Sequence, residues 1–241
     1  HICPFRRGCG GTLLGHQKGP PTKRNMTQPT DWNIAPDEIE RRSFAIIDHE
    51  AGAHGWQPGA WTIVRRMIHT SGDFSWIDTV RMHPEAIAAG IAALRAGRPI
   101  YTDTRMAQAG MSKALLARWG VDVLCLVDDP AIAARAKEQG VTRSLAGIDL
   151  SLERMRGGIY AIGNAPTALY RLLEQAAAGQ ARPALVIGLP VGFVNAAESK
   201  QALADQDRGP YITARGRKGG SNLAATVINA LARLAMEEEK S

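Results

Sequence analysis

The feature that most constrains the fold is an alternation that begins near residue 99. Five short runs are rich in β-branched and other apolar residues: PIYTD (99–103), VDVLCLV (121–127), GIYAIG (158–163), PALVIGL (183–189) and PYITA (210–214). Stretches of helical character follow them at about 106–118, 130–139, 165–178, 196–204 and 221–236. Strands that are apolar throughout are buried on both faces, and strand-then-helix repetition builds a parallel sheet covered by helices on each side. Three helices come first. Pro36 opens PDEIERRSFAIIDHEA with its acids early, a second helix starts near Pro58 and runs out at His69-Thr70-Ser71-Gly72, and HPEAIAAGIAALRAG stops at Gly97. The pattern predicts a three-layer α/β/α fold around a mainly parallel five-stranded sheet.

Charge narrows the partners. The net charge is +6, but residues 1–25 carry Arg6, Arg7, Lys18, Lys23 and Arg24 and no acid, leaving 24 basic against 23 acidic residues over 26–241. The basicity belongs to the first segment, and no basic stripe for nucleic acid remains. Residues 1–25 also lack the apolar core of a secretory signal, and Met26 reads as a natural start. The expected organisation is a functionally silent, disordered tail over 1–25 and one domain over 26–241. No apolar run is long enough to span a membrane. Cys3 and Cys9 match no metal or redox spacing and Cys125 sits alone in an apolar run, so a buried core thiol, no bound metal and a cytoplasmic location are expected.

Ligands of open parallel sheets bind beyond the carboxyl ends of the strands. The segments expected there are TDTRM, VDDP, GNAPT, GLPVGF and RGRKGGS, most of them rich in glycine, arginine or small polar residues. RGRKGGS (215–221) precedes the last helix, and Arg215, Arg217 and Lys218 beside a Gly-rich turn read either as an anion site or as a solvated surface turn, with Ser221 as the helix cap. Asn164 and Thr167 flank a strand-to-helix turn. Phe193 is either a platform for a planar ligand or core, while Glu198 and Lys200 fit a solvated helix face. His69 stands on the last turn of its helix, where the dipole favours the imidazolium and the nearby Arg65 and Arg66 oppose it. A lone histidine is equally readable as structural. Asp103, Asp128 and Asp129 have no evident partner, and no nucleophile elbow or catalytic triad order is present. Taken by themselves, the residues lead to an α/β enzyme or binding protein for a small anionic ligand.

Seven strings in order go further. RRSFAII (41–47), VRRMIHTSG (64–72), DTRM (103–106), TRS (142–144), AIGNAPTAL (161–169), GLPVGFVNAAESK (188–200) and RGRKGGSNLA (215–224) together resemble the precorrin-8X methylmutase family, over about residues 36–235. The resemblance implies a homodimeric flavodoxin-like fold. It also implies migration of a methyl group from carbon 11 to carbon 12 of precorrin-8X, a tetrapyrrole, to give hydrogenobyrinate in cobalamin biosynthesis, with no cofactor consumed. On the family's pattern His69 is the proton donor and acceptor, and Ser43 and Arg66 contact substrate. Arg105, Arg143, Asn164, Thr167, Phe193, Lys200, Arg215 and Ser221 are further substrate-binding candidates. The alternatives are a non-catalytic tetrapyrrole carrier and an α/β enzyme acting on a phosphorylated metabolite.

Overall fold

The computed structural model describes residues 34–239, so the expectations for residues 1–25 lie outside the described residues. Along the chain the elements are α1 (Pro36–Ala51), α2 (Pro58–Ser71), α3 (Trp76–Thr79), β1 (Val80–Met82), α4 (Ala86–Arg95), β2 (Ile100–Thr102), α5 (Arg105–Gly110) and α6 (Lys113–Ala117). They continue with β3 (Val123–Leu124), α7 (Pro130–Gln139), α8 (Arg143–Ser151), β4 (Ile159–Ile162), α9 (Pro166–Ala177), β5 (Leu185–Gly188), α10 (Ala196–Asp205), β6 (Tyr211–Ala214) and α11 (Ser221–Glu238).

The sheet has six strands in the order β1-β6-β5-β4-β2-β3, one more than expected. All pairings are parallel except that of β1, which runs antiparallel to β6 with Val80 opposite Ala214 and Arg81 opposite Thr213. The five parallel strands follow the flavodoxin order, with the topological switch between β2 and β4. Every residue of β2, β4 and β5 is buried, as the continuous apolar runs required. One face carries α2, α4, α5, α6 and α11 over a core of Ile63, Met67, Leu94, Leu185 and Leu231; the other carries α8, α9 and α10 around Ile148, Leu169, Leu172 and Leu203.

Two further departures from the sequence reading have local causes. The helix expected over 106–118 is two helices, because Met111 is extended and Ser112 caps α6 by accepting a hydrogen bond from the Leu115 N–H. Helix α8 was not anticipated; Thr142 caps it through the Leu145 N–H. Gly147 lets it approach the sheet, since a Cβ there would lie 2.4 Å from the Tyr101 hydroxyl.

Candidate active site

His69 is exposed on the final turn of α2, in a groove of about 170 Å³ between α2, α11 and the start of α6. Arg66 and Thr70 line it from α2, Ser112 from the cap of α6, and Thr226, Asn229 and Arg233 from α11. Residues three and four apart share a helix face, so Arg66 stands beside His69 and Thr70 by construction. Thr226, Asn229 and Arg233 form the matching stripe on α11, where they interrupt an otherwise apolar run over 223–236. The two stripes meet where the Thr70 and Thr226 hydroxyls hydrogen-bond at 2.9 Å. Asn229 accepts from the Ser112 N–H at 2.8 Å and donates to the Gly110 carbonyl at 2.9 Å, which fixes the α5–α6 break against the groove.

Helix α1 closes one side. The Phe44 ring meets His69 edge-on at 5.2 Å between centroids, and the guanidinium groups of Arg65 and Arg66 lie 4.5 and 4.9 Å from the same ring. Arg66 donates to Glu40 at 2.9 Å. Partial burial works to raise the Glu40 carboxyl, but the Arg66 hydrogen bond and the charges of Arg66, Arg233 and His69 outweigh it, so Glu40 titrates below the usual carboxylate range. Ser43, adjacent in sequence to Phe44, is half-buried and donates to the Ile39 carbonyl.

The carboxyl ends of the strands make a second feature. Asp103, which the sequence left without a partner, is 2% exposed and plugs the switch point between β2 and β4. Its Oδ1 accepts from Gly163 at 3.0 Å, and its Oδ2 accepts from Asn164 at 2.9 Å and Ala165 at 2.6 Å. Burial pushes this carboxyl up, and the three N–H donors work against the shift. Beside it Ser221 does not cap α11; it is the first helical residue, after Gly220, and its hydroxyl bonds to Thr104 at 2.7 Å. Two glycines of these segments admit other backbone. A Cβ on Gly163 would lie 2.7 Å from the Ser221 Cα, and one on Gly219 would lie 2.2 Å from the Leu189 carbonyl oxygen.

Above this packed floor the edge is apolar and ringed by cations. Phe193 is 85% exposed, Val194 77% and Met106 70%, so Phe193 is not core. Arg217 lies over the Phe193 ring at 5.5 Å. Asn164 is exposed, Thr167 bonds to the Thr142 hydroxyl at 2.9 Å, and the exposed Arg143 follows Thr142. Arg105 donates to Asp128 at 2.8 Å. The charged loop after β6 therefore does not gather around one anion. Lys218 turns away to bond Asp73 at 2.6 Å and Ser75 at 3.0 Å, which ties the loop to the segment after α2, and Arg215 points into a separate cavity with Lys200. Lys200 is not on a solvated face: it is 1% exposed.

The sequence profile described as CbiC, precorrin-8X methylmutase, matches residues 38–234. The chain belongs to the precorrin-8X methylmutase family. Among the family's members, a protein from Pseudomonas aeruginosa named precorrin-8X methylmutase is 45% identical over 195 residues, covering 80% of this chain and 93% of its own. One from Priestia megaterium, named cobalt-precorrin-8 methylmutase, is 42% identical over 202 residues, covering 84% and 89%. The crystal structure of the Thermus thermophilus precorrin-8x methyl mutase matches with a TM-score of 0.77 at 42% identity, covering 83% of this chain and 98% of that one. Family members are isomerases that move a methyl group within one molecule.

Of the sequence candidates, the fold brings His69 and Arg66 into one groove and Arg105, Arg143, Asn164, Thr167 and Phe193 to the carboxyl edge of the sheet. It separates Lys200 and Arg215 from both. The sequence reading missed Glu40, Phe44, Ser112, Thr226, Asn229 and Arg233. For the α11 residues a signal was present, three polar side chains at i, i+3 and i+7 in an apolar helix. Among the described residues no three His, Cys, Asp or Glu side chains converge as a metal site, and no helix is long and apolar enough to cross a membrane.

Proposed function

We propose that this chain converts precorrin-8X to hydrogenobyrinate by moving the methyl group from carbon 11 to carbon 12, with His69 as proton donor and acceptor. The observation that carries this reading is the pairing of an accessible imidazole with Arg66 on one helix face inside a polar groove. Substrate and product are isomers, so the chemistry needs no external reductant, nucleophile or group donor. A proton placed on the conjugated macrocycle assists the shift, and the same imidazole retrieves it once the methyl group has bonded to carbon 12. Arg66 and Arg233 supply guanidinium donors for the carboxylate arms of the macrocycle, and Phe44 braces the imidazole.

A cavity of 170 Å³ is smaller than the roughly 300–1,000 Å³ that encloses a whole ligand. The groove thus admits an edge of the macrocycle. The apolar surface of Phe193, Val194 and Met106, with Arg105, Arg143 and Arg217 along the same edge of the sheet, matches the chemistry of a flat ring bearing carboxylates. Ser43, next to Phe44 on α1, is assigned as a further substrate contact, and the exposed Ile39 and Ile46 of the same helix offer the apolar surface for a homodimer. We place the protein in the cytoplasm, as one domain over 26–241 with residues 1–25 outside it.

The test is to incubate the purified protein with precorrin-8X and follow the visible spectrum. Appearance of the hydrogenobyrinate chromophore supports the reading; an unchanged but protein-bound chromophore would make the protein a carrier. Parallel assays with cobalt-loaded and metal-free substrate assign the natural form, which relatives of similar identity divide between them by name.

A further inference from the structure

On the far side of the sheet from the His69 groove, at its β1–β6 edge, lies a cavity of about 190 Å³ that shares no lining residue with that groove. Three cations from three elements line it: Arg81 from β1, Lys200 from α10 and Arg215 from the end of β6. None of the three pairs with a carboxylate among the described residues. Arg81 donates only to the carbonyls of Asp78 and Val80, at 2.9 and 2.6 Å, and Lys200 only to the carbonyl of Lys218, at 2.5 Å. The one acid on the wall, Asp205, is held by Gln201 at 2.7 Å.

This arrangement is costly as it stands. A buried ammonium without a counter-ion loses hydration that one carbonyl does not replace. Burial pushes Lys200 down to about 8, and burial followed by the charge of Arg215 presses Arg81 below its ordinary value. A merely structural role, fixing the Lys218 carbonyl, would account for Lys200 but not for two arginines facing the same space. An anion between them satisfies all three. The volume is too small for a whole metabolite and suits one charged group.

We propose that Arg81, Lys200 and Arg215 form a seat for a single oxyanion, a carboxylate or phosphate group, separate from the proton-transfer groove. Forked guanidinium donors on two sides and a point-charge ammonium behind them are the donor set such a group requires. Its source is either a carboxylate arm of the bound macrocycle or a free anion.

Inorganic phosphate is the probe, titrated at constant ionic strength against chloride, with binding read by calorimetry and by the melting temperature. Saturable binding and stabilisation are expected in the wild type. Arg215→Ala, a change at an exposed loop position that leaves the core intact, should weaken binding about tenfold or more, as loss of a charge-assisted contact does. Lys200→Met should weaken it at least as much. His69→Ala should bind phosphate as the wild type does, which keeps this test independent of the catalytic reading. Phosphate competing with the macrocycle identifies the seat as holding a side arm; simultaneous binding identifies a free-anion site, and either supports the seat. Stabilisation no greater than that from chloride, or equal phosphate binding by wild type and Arg215→Ala, overturns the proposal.

Discussion

Replacing Asp103 with asparagine changes one oxygen into an NH2 group at the best-tied point of the sheet's carboxyl edge. All three hydrogen-bond partners of the Asp103 carboxyl are N–H donors, so an acid proton has no acceptor among them and the ionised form fits the site. If the asparagine oxygen takes the Oδ2 position, the bonds from Asn164 and Ala165 survive as neutral ones, each weakened by about half. The Gly163 N–H then faces another donor, and an unsatisfied buried donor costs about 1–3 kcal/mol. No longer burying a charge offsets part of the total. The expected net loss is about 1–3 kcal/mol, and each kcal/mol lowers Tm by roughly 2–4 °C in a chain of this size. Urea unfolding of both proteins at pH 7 measures it. A stability within about 0.5 kcal/mol of wild type would contradict the argument from the three donors.

Three further outcomes follow from the same geometry. Arg66→Ala should raise KM about 10- to 100-fold, from a lost charged contact, while kcat changes less; an unchanged KM removes Arg66 from the substrate. Lys200→Met should melt higher than wild type near pH 7, and the gap should close as pH rises. The folded-state value of Lys200 is lowered to about 8 from 10.5, so its charged form costs stability below pH 8 and that cost is relieved between pH 8 and 10.5. A gap that widens over this interval contradicts the burial argument. Removing residues 1–25 should leave both Tm and turnover unchanged, and loss of most activity would place that segment in the site.

Much of the frame was legible because β2, β4, β5 and β6 are buried on both faces, and such strands must be apolar without alternation. Strand β1 was not. Its three residues, Val80–Met82, are too short to show a period, and their pairing depends on β6, distant in sequence. Arg81 was lost with it, and so was the meaning of Lys200, whose burial follows from that edge and not from its own helix. RGRKGGS read as one cationic cluster because neighbours in sequence look like neighbours in space. In the fold Arg215, Arg217 and Lys218 serve a cavity, an aromatic ring and a tether to Asp73. His69 and Arg66 were found together because helix periodicity alone puts them on one face. Glu40 was beyond reach, since its position depends on how α1 packs against α2.

The central claim is that His69 moves the proton that permits methyl migration, and the direct measurement is turnover of precorrin-8X by His69→Ala set beside its affinity for the macrocycle. General acid–base groups contribute about 100- to 10,000-fold, so turnover should fall by at least 100-fold. Affinity should change little, because the carboxylate contacts proposed above come from Arg66, Arg233 and the edge of the sheet. A variant that binds the macrocycle and still turns over within about tenfold of wild type would contradict the account and leave His69 a structural residue at a helix end.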